Sequence, residues 1–162
     1  MPWFFRLDEK YVDGLEMELK SAMERCQALI HDDAEESLDR LGMGTTLTLA
    51  YVLWPRLYVV HVGDTRCYLL RMGELRRVTR DHTVAQQLAE ESSIAAREVE
   101  SSKWSHVLWN AIGGTSPELS PEVYKVGLEM GDAILLCTDG LTRHLNDADV
   151  ASILNNNGSA DS

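Results

Sequence analysis

The stretch LYVVHVGDTRCYLLRMGELRRV, residues 57–78, decides the fold of this 162-residue chain. Two apolar runs, 57–62 and 66–71, are rich in β-branched and aromatic residues and are separated by Gly63-Asp64. Such runs between turn residues are typical of strands. Residues 72–74 then predict a tight hairpin turn into one more strand. Connections this short join antiparallel neighbours, so the stretch predicts an antiparallel meander.

The sequence on either side of this stretch extends the same pattern. Alternation predicts another strand at 46–51, and further strands are predicted at 122–126 and 133–137. The last of these is apolar on both faces, so we expect it to lie deep within a sheet.

Helical patterns flank the predicted strands. Between residues 8 and 38, apolar side chains recur at gaps of three and four, which predicts a long amphipathic helix. Good helix formers predict shorter helices further along the chain, at 84–91, 94–101, 105–112, 141–145 and 147–154.

Composition limits the classes of function. Asp and Glu number 26 against 15 Lys and Arg, giving a formal net charge of −11, and 44% of the residues are hydrophobic. Such a chain folds as one globular domain, and its acidic surface disfavours nucleic acid and anionic membranes. The three cysteines, Cys26, Cys67 and Cys137, sit among apolar neighbours, which suits buried thiols in a reducing compartment. We therefore expect a cytoplasmic protein that binds neither nucleic acid nor membrane.

Two aspartates are placed at the ends of apolar strands. Asp64 follows 57–62 and Asp139 follows 133–137. A carboxylate just beyond a core strand is held rigidly, and hard cations such as Mg²⁺ and Mn²⁺ prefer such oxygen ligands. Gly63-Asp64 and Asp139-Gly140 are equally common turn dipeptides, so the two residues are also explained as turn formers that face solvent separately.

Three smaller expectations concern polar and aromatic residues. His61 alternates within its strand and is expected to partner a residue on the neighbouring strand. Asp81 is a plausible N-cap of the helix that follows it. Trp104 and Trp109 are expected in the core.

The order of five short motifs carries more information than any one of them. They are Gly44-Thr45-Thr46, Gly63-Asp64-Thr65-Arg66, Thr79-Arg80-Asp81-His82, Ala111-Ile112-Gly113-Gly114 and Leu135-Leu136-Cys137-Thr138-Asp139-Gly140-Leu141-Thr142. Over residues 44–154 this succession resembles the metal-dependent Ser/Thr protein phosphatases of the protein phosphatase 2C family, and its bacterial branch in particular.

The resemblance implies an α+β fold in which an antiparallel β-sandwich is flanked by helices. It implies hydrolysis of phosphoserine and phosphothreonine in phosphoproteins, which are the products of Ser/Thr kinases, with Mn²⁺ or Mg²⁺ as cofactor. By motif, Asp64 and Asp139 are similar to carboxylates that hold a metal ion, and Arg66 is expected to point along its strand. The helical region 84–112 falls where the family has a mobile flap. No catalytic or substrate-binding residue is assigned.

The departures from the family pattern matter as well. The family's Asp-Gly-x-Gly-Gly signature and its closing Asp-Asn metal-ligand segment are absent from the 162 residues. We therefore expect residues 1–162 to form one partial phosphatase domain, truncated at both ends and catalytically incomplete. The alternative is a non-catalytic interaction or regulatory module with the same fold. Missing strands would leave open sheet edges, which predicts dimerisation through those edges.

Overall fold

The computed structural model describes residues 14–36, 38–92, 104–114 and 118–156. The α-helices are α1 (Leu15–Glu35), α2 (Val84–Ser92), α3 (Asp139–Thr142) and α4 (Asp147–Asn156), and a 3₁₀ helix spans Leu38–Arg40. The strands are β1 (Gly44–Thr45), β2 (Leu47–Leu53), β3 (Arg56–Val62), β4 (Arg66–Arg71), β5 (Glu74–Arg77), β6 (Ile112–Gly113), β7 (Glu122–Gly127) and β8 (Ala133–Cys137). Each strand predicted from the sequence lies within two residues of its expected position, which confirms those predictions.

Within the described parts of the chain, the eight strands form three antiparallel sheets. One has the order β2-β3-β7, a second has the order β5-β4-β8, and the short strands β1 and β6 pair with each other. The predicted meander is therefore wrong at one point, because β3 and β4 lie in different sheets. The chain passes between the sheets at Gly63, whose φ is +107°.

This crossing places the apolar residues of two strands face to face. Leu57 and Val59 of β3 share a buried cluster with Cys67 and Leu69 of β4. A continuous meander would have left one face of each strand without a partner, whereas two packed sheets bury both sets between them. The predicted sandwich is confirmed, and its core lies between β3 and β4.

Strand β3 is buried on its other face too. Val60 and Val62 pack with Met23 of α1 and Ile112 of β6 in a second cluster. Helix α1 is fixed further by Gln27, whose side-chain oxygen accepts a hydrogen bond from the Gly113 N–H at 2.5 Å. The predicted first helix is confirmed over Leu15–Glu35, and its predicted beginning at residues 8–13 lies outside the described residues.

Strand β8 does not lie deep within a sheet, so that expectation is wrong. Within the described residues it pairs with β4 alone and stands at the margin of its sheet. Ala133 and Leu136 are exposed. A strand with apolar residues on both faces is suited to burial on both faces. Whether it is buried depends on which other elements pack against it, and its own sequence does not determine that.

The helix expected at 105–112 is wrong as well. Leu108 forms an isolated antiparallel bridge with Thr83, and Ile112 begins β6. The Trp109 N–H donates to the His82 carbonyl at 3.0 Å, so this backbone bonds across to the segment before α2 rather than to itself. Trp104 and Trp109 are exposed, contrary to expectation. The helix predicted at 94–101 lies outside the described residues, whereas α2 is confirmed.

Two further observations concern the thiols and the helices. Cys67 is buried, but Cys26 is exposed, so the expectation of three buried cysteines is wrong. Among the described helices, none combines the length and the apolar character that crossing a membrane requires.

Candidate functional site

The structure brings the two strand-end aspartates to one cavity. Asp64 follows β3 in one sheet and Asp139 begins α3 directly after β8 in the other, and both line a cavity of about 390 Å³. Two carboxylates at the ends of strands from different sheets therefore line one cavity, and they do not face solvent at separate places. Their assignment as metal ligands stays a prediction.

The two carboxylates influence each other. Burial raises the pKa of the Asp64 carboxyl above its usual range, and the negative charge of Asp139 raises it further. Like charges that share a cavity repel, so the pair favours either a proton or a cation. Asp139 already has one cationic neighbour, since Arg143 Nη2 lies 2.5 Å from its Oδ2.

The third aspartate that lines the cavity, Asp81, is engaged by arginine. Its carboxylate accepts hydrogen bonds from Arg66 Nε at 3.0 and 3.1 Å and from Nη2 at 2.6 Å. Arg66 Nη1 donates to the hydroxyl of Tyr68, two residues along its own strand, at 3.1 Å, as expected, while Nε and Nη2 turn to Asp81. The expectation that Asp81 caps α2 is wrong, because the Gln86 N–H donates to the Thr83 hydroxyl at 3.2 Å instead.

Sequence reasoning missed three basic side chains that line the cavity. They are Arg77, Arg143 and His106. Arg77 lies 3.5 Å from Asp81 Oδ2, and Arg143 reaches both Asp139 and His106. One signal was available for Arg143, since it stands four positions after Asp139, a spacing that brings side chains together on a helix, although the helix was predicted to begin only at residue 141. Nothing in the spacing of Arg77 or His106 points to this cavity.

The backbone that carries Asp64 is clamped by a buried histidine. The His82 N–H donates to the Gly63 carbonyl at 2.8 Å, and the Gly63 N–H donates back to His82 Nδ1 at 3.2 Å. Asn110 Nδ2 also donates to His82 Nδ1, at 2.8 Å. Because Nδ1 accepts from both groups, the ring proton of His82 is on Nε2, which faces Glu122 Oε2 at 3.4 Å.

Asn110 is itself held by a pair of hydrogen bonds. Its amide nitrogen donates to the Ser120 carbonyl at 2.7 Å, and its amide oxygen accepts from the Ser120 N–H at 3.2 Å. These bonds fix which end of the amide faces His82. The clamp on Gly63 is thereby tied to the segment that leads into β7.

His61 lies directly behind this clamp. Its ring centroid is 4.6 Å from that of His82. Its Nδ1 is 2.8 Å from the hydroxyl of Thr48, the residue opposite it on β2, which confirms the expected cross-strand partnership. The Thr48 hydroxyl is also 2.6 Å from that of Thr65, next to Asp64. Gly63 is therefore bonded to the buried side chain of His82, and Thr65 to the half-buried side chain of Thr48.

Within the described residues, no three His, Cys, Asp or Glu side chains gather closely enough to form a metal cluster. Two carboxylate oxygen donors on rigid supports suit one hydrated Mg²⁺ or Mn²⁺, which keeps several water ligands and needs few from the protein. The donor set of Asp64 and Asp139 therefore fits one weakly held hard cation. It does not fit a closed zinc site, which needs nitrogen or sulfur ligands.

Comparison with known proteins gives a consistent result. A family model described as Protein phosphatase 2C matches residues 5–104. The serine/threonine protein phosphatase PstP of Mycobacterium tuberculosis strain H37Rv is 35% identical over 147 residues, which cover 91% of this chain and 28% of PstP.

Solved structures resemble the chain as well. The S. agalactiae serine/threonine phosphatase superposes with a TM-score of 0.84 at 28% identity, over 92% of this chain and 61% of that one. The catalytic domain of PstP in complex with two manganese ions gives a TM-score of 0.69 at 36% identity, over 80% of this chain and 53% of that one. The chain thus spans less than two thirds of each of these proteins.

Proposed function

Because the chain belongs to the protein phosphatase 2C family, we propose that it forms part of a metal-dependent phosphatase that hydrolyses phosphoserine and phosphothreonine in proteins. The proposed substrates are phosphoproteins made by Ser/Thr kinases. The observation that carries the proposal is the meeting of Asp64 and Asp139 in one cavity, from two sheets and two distant stretches of sequence.

We assign Asp64 and Asp139 as ligands of Mn²⁺ or Mg²⁺. Such an ion, when bound, neutralises charge on phosphoryl oxygens and lowers the pKa of a coordinated water. Neighbouring residues hold Asp64 and Asp139 in place. His82 fixes the backbone of Gly63, and the ion pair of Arg66 with Asp81 fills the adjoining wall of the cavity.

We propose further that residues 1–162 are catalytically incomplete on their own. A dinuclear site of the kind named for the PstP complex needs enough anionic oxygens to hold two repelling dications. Of the three aspartates that line the cavity among the described residues, Asp81 is neutralised by Arg66 and Arg77. That leaves Asp64 and Asp139, which suffice for one ion.

The test combines binding and turnover on the 162-residue chain. Thermal melting is followed with increasing Mn²⁺, and phosphate release is measured from a phosphothreonine peptide. We expect Mn²⁺ to raise the Tm of the natural chain but not that of Asp64→Asn or Asp139→Asn, with no turnover by any of them. Asp33→Asn is the control, because it removes an exposed carboxylate of α1 that does not line the cavity, and it should keep the shift.

Two results would change this assignment in different ways. Turnover that Asp139→Asn abolishes would overturn the proposed incompleteness while supporting the phosphatase chemistry. A natural chain whose Tm does not respond to Mn²⁺ would overturn the metal role of both aspartates.

A second candidate function is a non-catalytic interaction module. It is favoured by the absence of Asp-Gly-x-Gly-Gly from the sequence and by the small number of free carboxylates in the cavity. The adjoining reading frames discriminate between the two. A neighbouring Asp-Gly-x-Gly-Gly would favour the enzyme, and its absence on both sides would favour the module.

We propose that the open sheet margins bind another polypeptide, a second copy of this chain in the simplest case. Leu49, Tyr51 and Val52 of β2 and Leu136 of β8 are large apolar side chains that stand exposed. Both strands lie at the margins of their sheets within the described residues, where unpaired backbone groups template pairing. Light scattering after size exclusion should show dimers that Val52→Lys dissociates, and a monodisperse monomer at high concentration would contradict the idea.

We infer a cytoplasmic location as well. Cys26, Cys67 and Cys137 are free thiols, which is the usual state in a reducing compartment. Fractionation of cells that produce the protein would test this inference, and recovery with membranes or in the medium would contradict it.

A further inference from the structure

Arg143 is placed where a cation bound by the two aspartates would compete with it. It follows α3, and its Nη2 lies 2.5 Å from Asp139 Oδ2. The same nitrogen donates a hydrogen bond to His106 Nδ1 at 3.2 Å. Its positive charge also reaches Asp64, whose pKa it lowers against the larger effect of burial. One guanidinium therefore acts on both carboxylates and on a residue across the cavity.

The other arginines of the cavity do not compete in this way. Arg66 is bonded in a forked geometry to Asp81, and Arg77 also faces Asp81. Among the described residues that line the cavity, Arg143 is thus the arginine whose carboxylate partner belongs to the Asp64 and Asp139 pair.

The Arg143 ion pair is accessible to water. The side chains of Arg143 and Asp139 are 50% and 39% exposed. Ion pairs this exposed contribute little to stability, because water and salt screen them. An ion with twice the charge and a compact shape is therefore able to displace the guanidinium from Asp139 at little cost to the fold.

We propose that Arg143 is the exchangeable counter-cation of the Asp64 and Asp139 pair, and that it sets the affinity of this site for divalent cations. When Arg143 is paired with Asp139, it lowers the net negative charge of the cavity and links α3 to His106. When a divalent cation takes its place, both the ion pair and the bond to His106 break. This proposal rests on the metal-binding role proposed above for the two aspartates.

A consequence concerns the segment around His106. This residue lies in 104–114, which bonds to the backbone before α2 and supplies Asn110 to the clamp on Gly63. Release of Arg143 from His106 removes a direct link between this segment and α3. Binding of a cation at the two aspartates would thereby loosen the contact between α3 and the segment 104–114.

The experiment is a calorimetric titration of the 162-residue chain with Mn²⁺ at low ionic strength. We compare the natural chain with Arg143→Gln, Arg143→Lys and Arg40→Gln. Arg40 provides a matched control, because it forms an equally short exposed pair with Asp33, 2.5 Å apart and with side chains 46% and 49% exposed. Both glutamine variants change the net charge by the same amount.

Removing a positive charge next to a dication site should tighten Mn²⁺ binding by about tenfold for Arg143→Gln. Arg143→Lys, which keeps the charge, and Arg40→Gln should stay within about twofold of the natural chain. The ring resonances of His106 should also shift when Mg²⁺ is added to the natural chain, and shift less in Arg143→Gln.

The outcomes separate this proposal from the one it rests on. If Asp139→Asn abolishes Mn²⁺ binding while Arg143→Gln binds no more tightly than the natural chain, the role of Arg143 is overturned and the metal site stands. Equal tightening in Arg40→Gln would also overturn it, since the effect would then be one of net charge. If no variant binds Mn²⁺, both proposals fail.

Discussion

The two sides of the cavity hold their aspartates in opposite ways. Asp64 follows β3, which is buried on both faces, and the backbone before it is bonded to the buried side chain of His82. Asp139 follows β8 at the margin of its sheet, and its partner is the exposed Arg143. One carboxylate is positioned by the core, whereas the other is positioned by a short helix and an ion pair in water.

Within one site, Asp64 is therefore held rigidly, whereas Asp139 is able to change its partner. A carboxylate fixed by buried hydrogen bonds keeps its place whether or not a ligand is present. A carboxylate whose partner is an exposed arginine is able to exchange that partner at little cost. We therefore expect changes on the Asp64 side to affect stability strongly, and changes on the Asp139 side to affect ligand affinity with little loss of stability.

The largest expected effect is that of Gly63→Ala. The φ of Gly63 is +107°, and an added Cβ would lie 2.2 Å from Thr46 Cγ2. Backbone strain and the clash together should lower the free energy of unfolding by about 4 kcal/mol, measured by urea denaturation. Gly131→Ala is the control, since Gly131 has a φ of +92° with nothing within 4 Å of an added Cβ. Equal losses at the two positions would show that packing at Gly63 does not matter.

His82→Ala should have the next largest effect. It would leave the Gly63 N–H without its side-chain acceptor, it would remove one of the two acceptors of the Asn110 amide nitrogen, and it would open a cavity beside His61. We expect a loss of about 3 kcal/mol in the free energy of unfolding. Weaker Mn²⁺ binding in the fraction that remains folded should accompany it. The exposed His144→Ala should change neither quantity, and unaltered Mn²⁺ affinity in His82→Ala would show that the clamp does not position Asp64.

The buried histidines should make stability depend on pH. Burial lowers the pKa of His61 to about 4, with the charge of His82 as a second cause, and burial also lowers the pKa of His82. An unfolded histidine titrates near pH 6.5, so between pH 6.5 and 4 the unfolded chain binds more protons than the folded one. The contribution of the neutral, buried histidines to the free energy of unfolding is therefore fully present above pH 6.5, and it is lost as the pH falls toward 4.

For His61 alone the loss between pH 7 and pH 4.5 should be about 2 kcal/mol, measured by urea denaturation at each pH. His106→Gln, which removes an exposed histidine on the other side of the cavity, should keep the same pH dependence. A free energy of unfolding that stays flat over this interval would contradict the burial of a neutral His61.

The smallest effects should come from the aspartates themselves in the absence of divalent cations. The raised pKa of Asp64 means that the folded state disfavours its charge, so Asp64→Asn should raise the free energy of unfolding at pH 7. Asp139→Asn removes an exposed ion pair and should lower it by less than about 1 kcal/mol. Measurements in EDTA would test the opposite signs, and a marked loss of stability in Asp64→Asn would contradict the repulsion between the two carboxylates.

Much of this architecture was predictable because it depends on local pattern. Apolar runs of β-branched and aromatic residues between turn residues, with alternation at 46–51, located the six longer strands. The spacing of apolar residues located α1, and good helix formers located α2. The failures share one cause. The helix expected at 105–112 was lost because Trp109 bonds to His82, 27 residues away, and helix-forming residues give no warning of such a competing partner.

The candidate site was predictable only in part. Asp64 and Asp139 stood out because each follows an apolar run, and the order of the motifs suggested the family. His82 was visible as a motif residue, but its hold on Gly63 was not. Arg143 and His106 approach each other from positions 37 residues apart, and no spacing rule connects them.

The sequence by itself determined the six longer strands, the long first helix, the acidic surface and the two aspartates at strand ends. These follow from hydrophobic periodicity and net charge, which act on residues near one another in the chain. Only the tertiary structure decided that β3 and β4 lie in different sheets, that β8 stands at a margin among the described residues, and that Arg143 pairs with Asp139 while Arg66 pairs with Asp81. Each of those outcomes depends on which distant surfaces pack together, and packing is a property of the whole chain rather than of any segment of it.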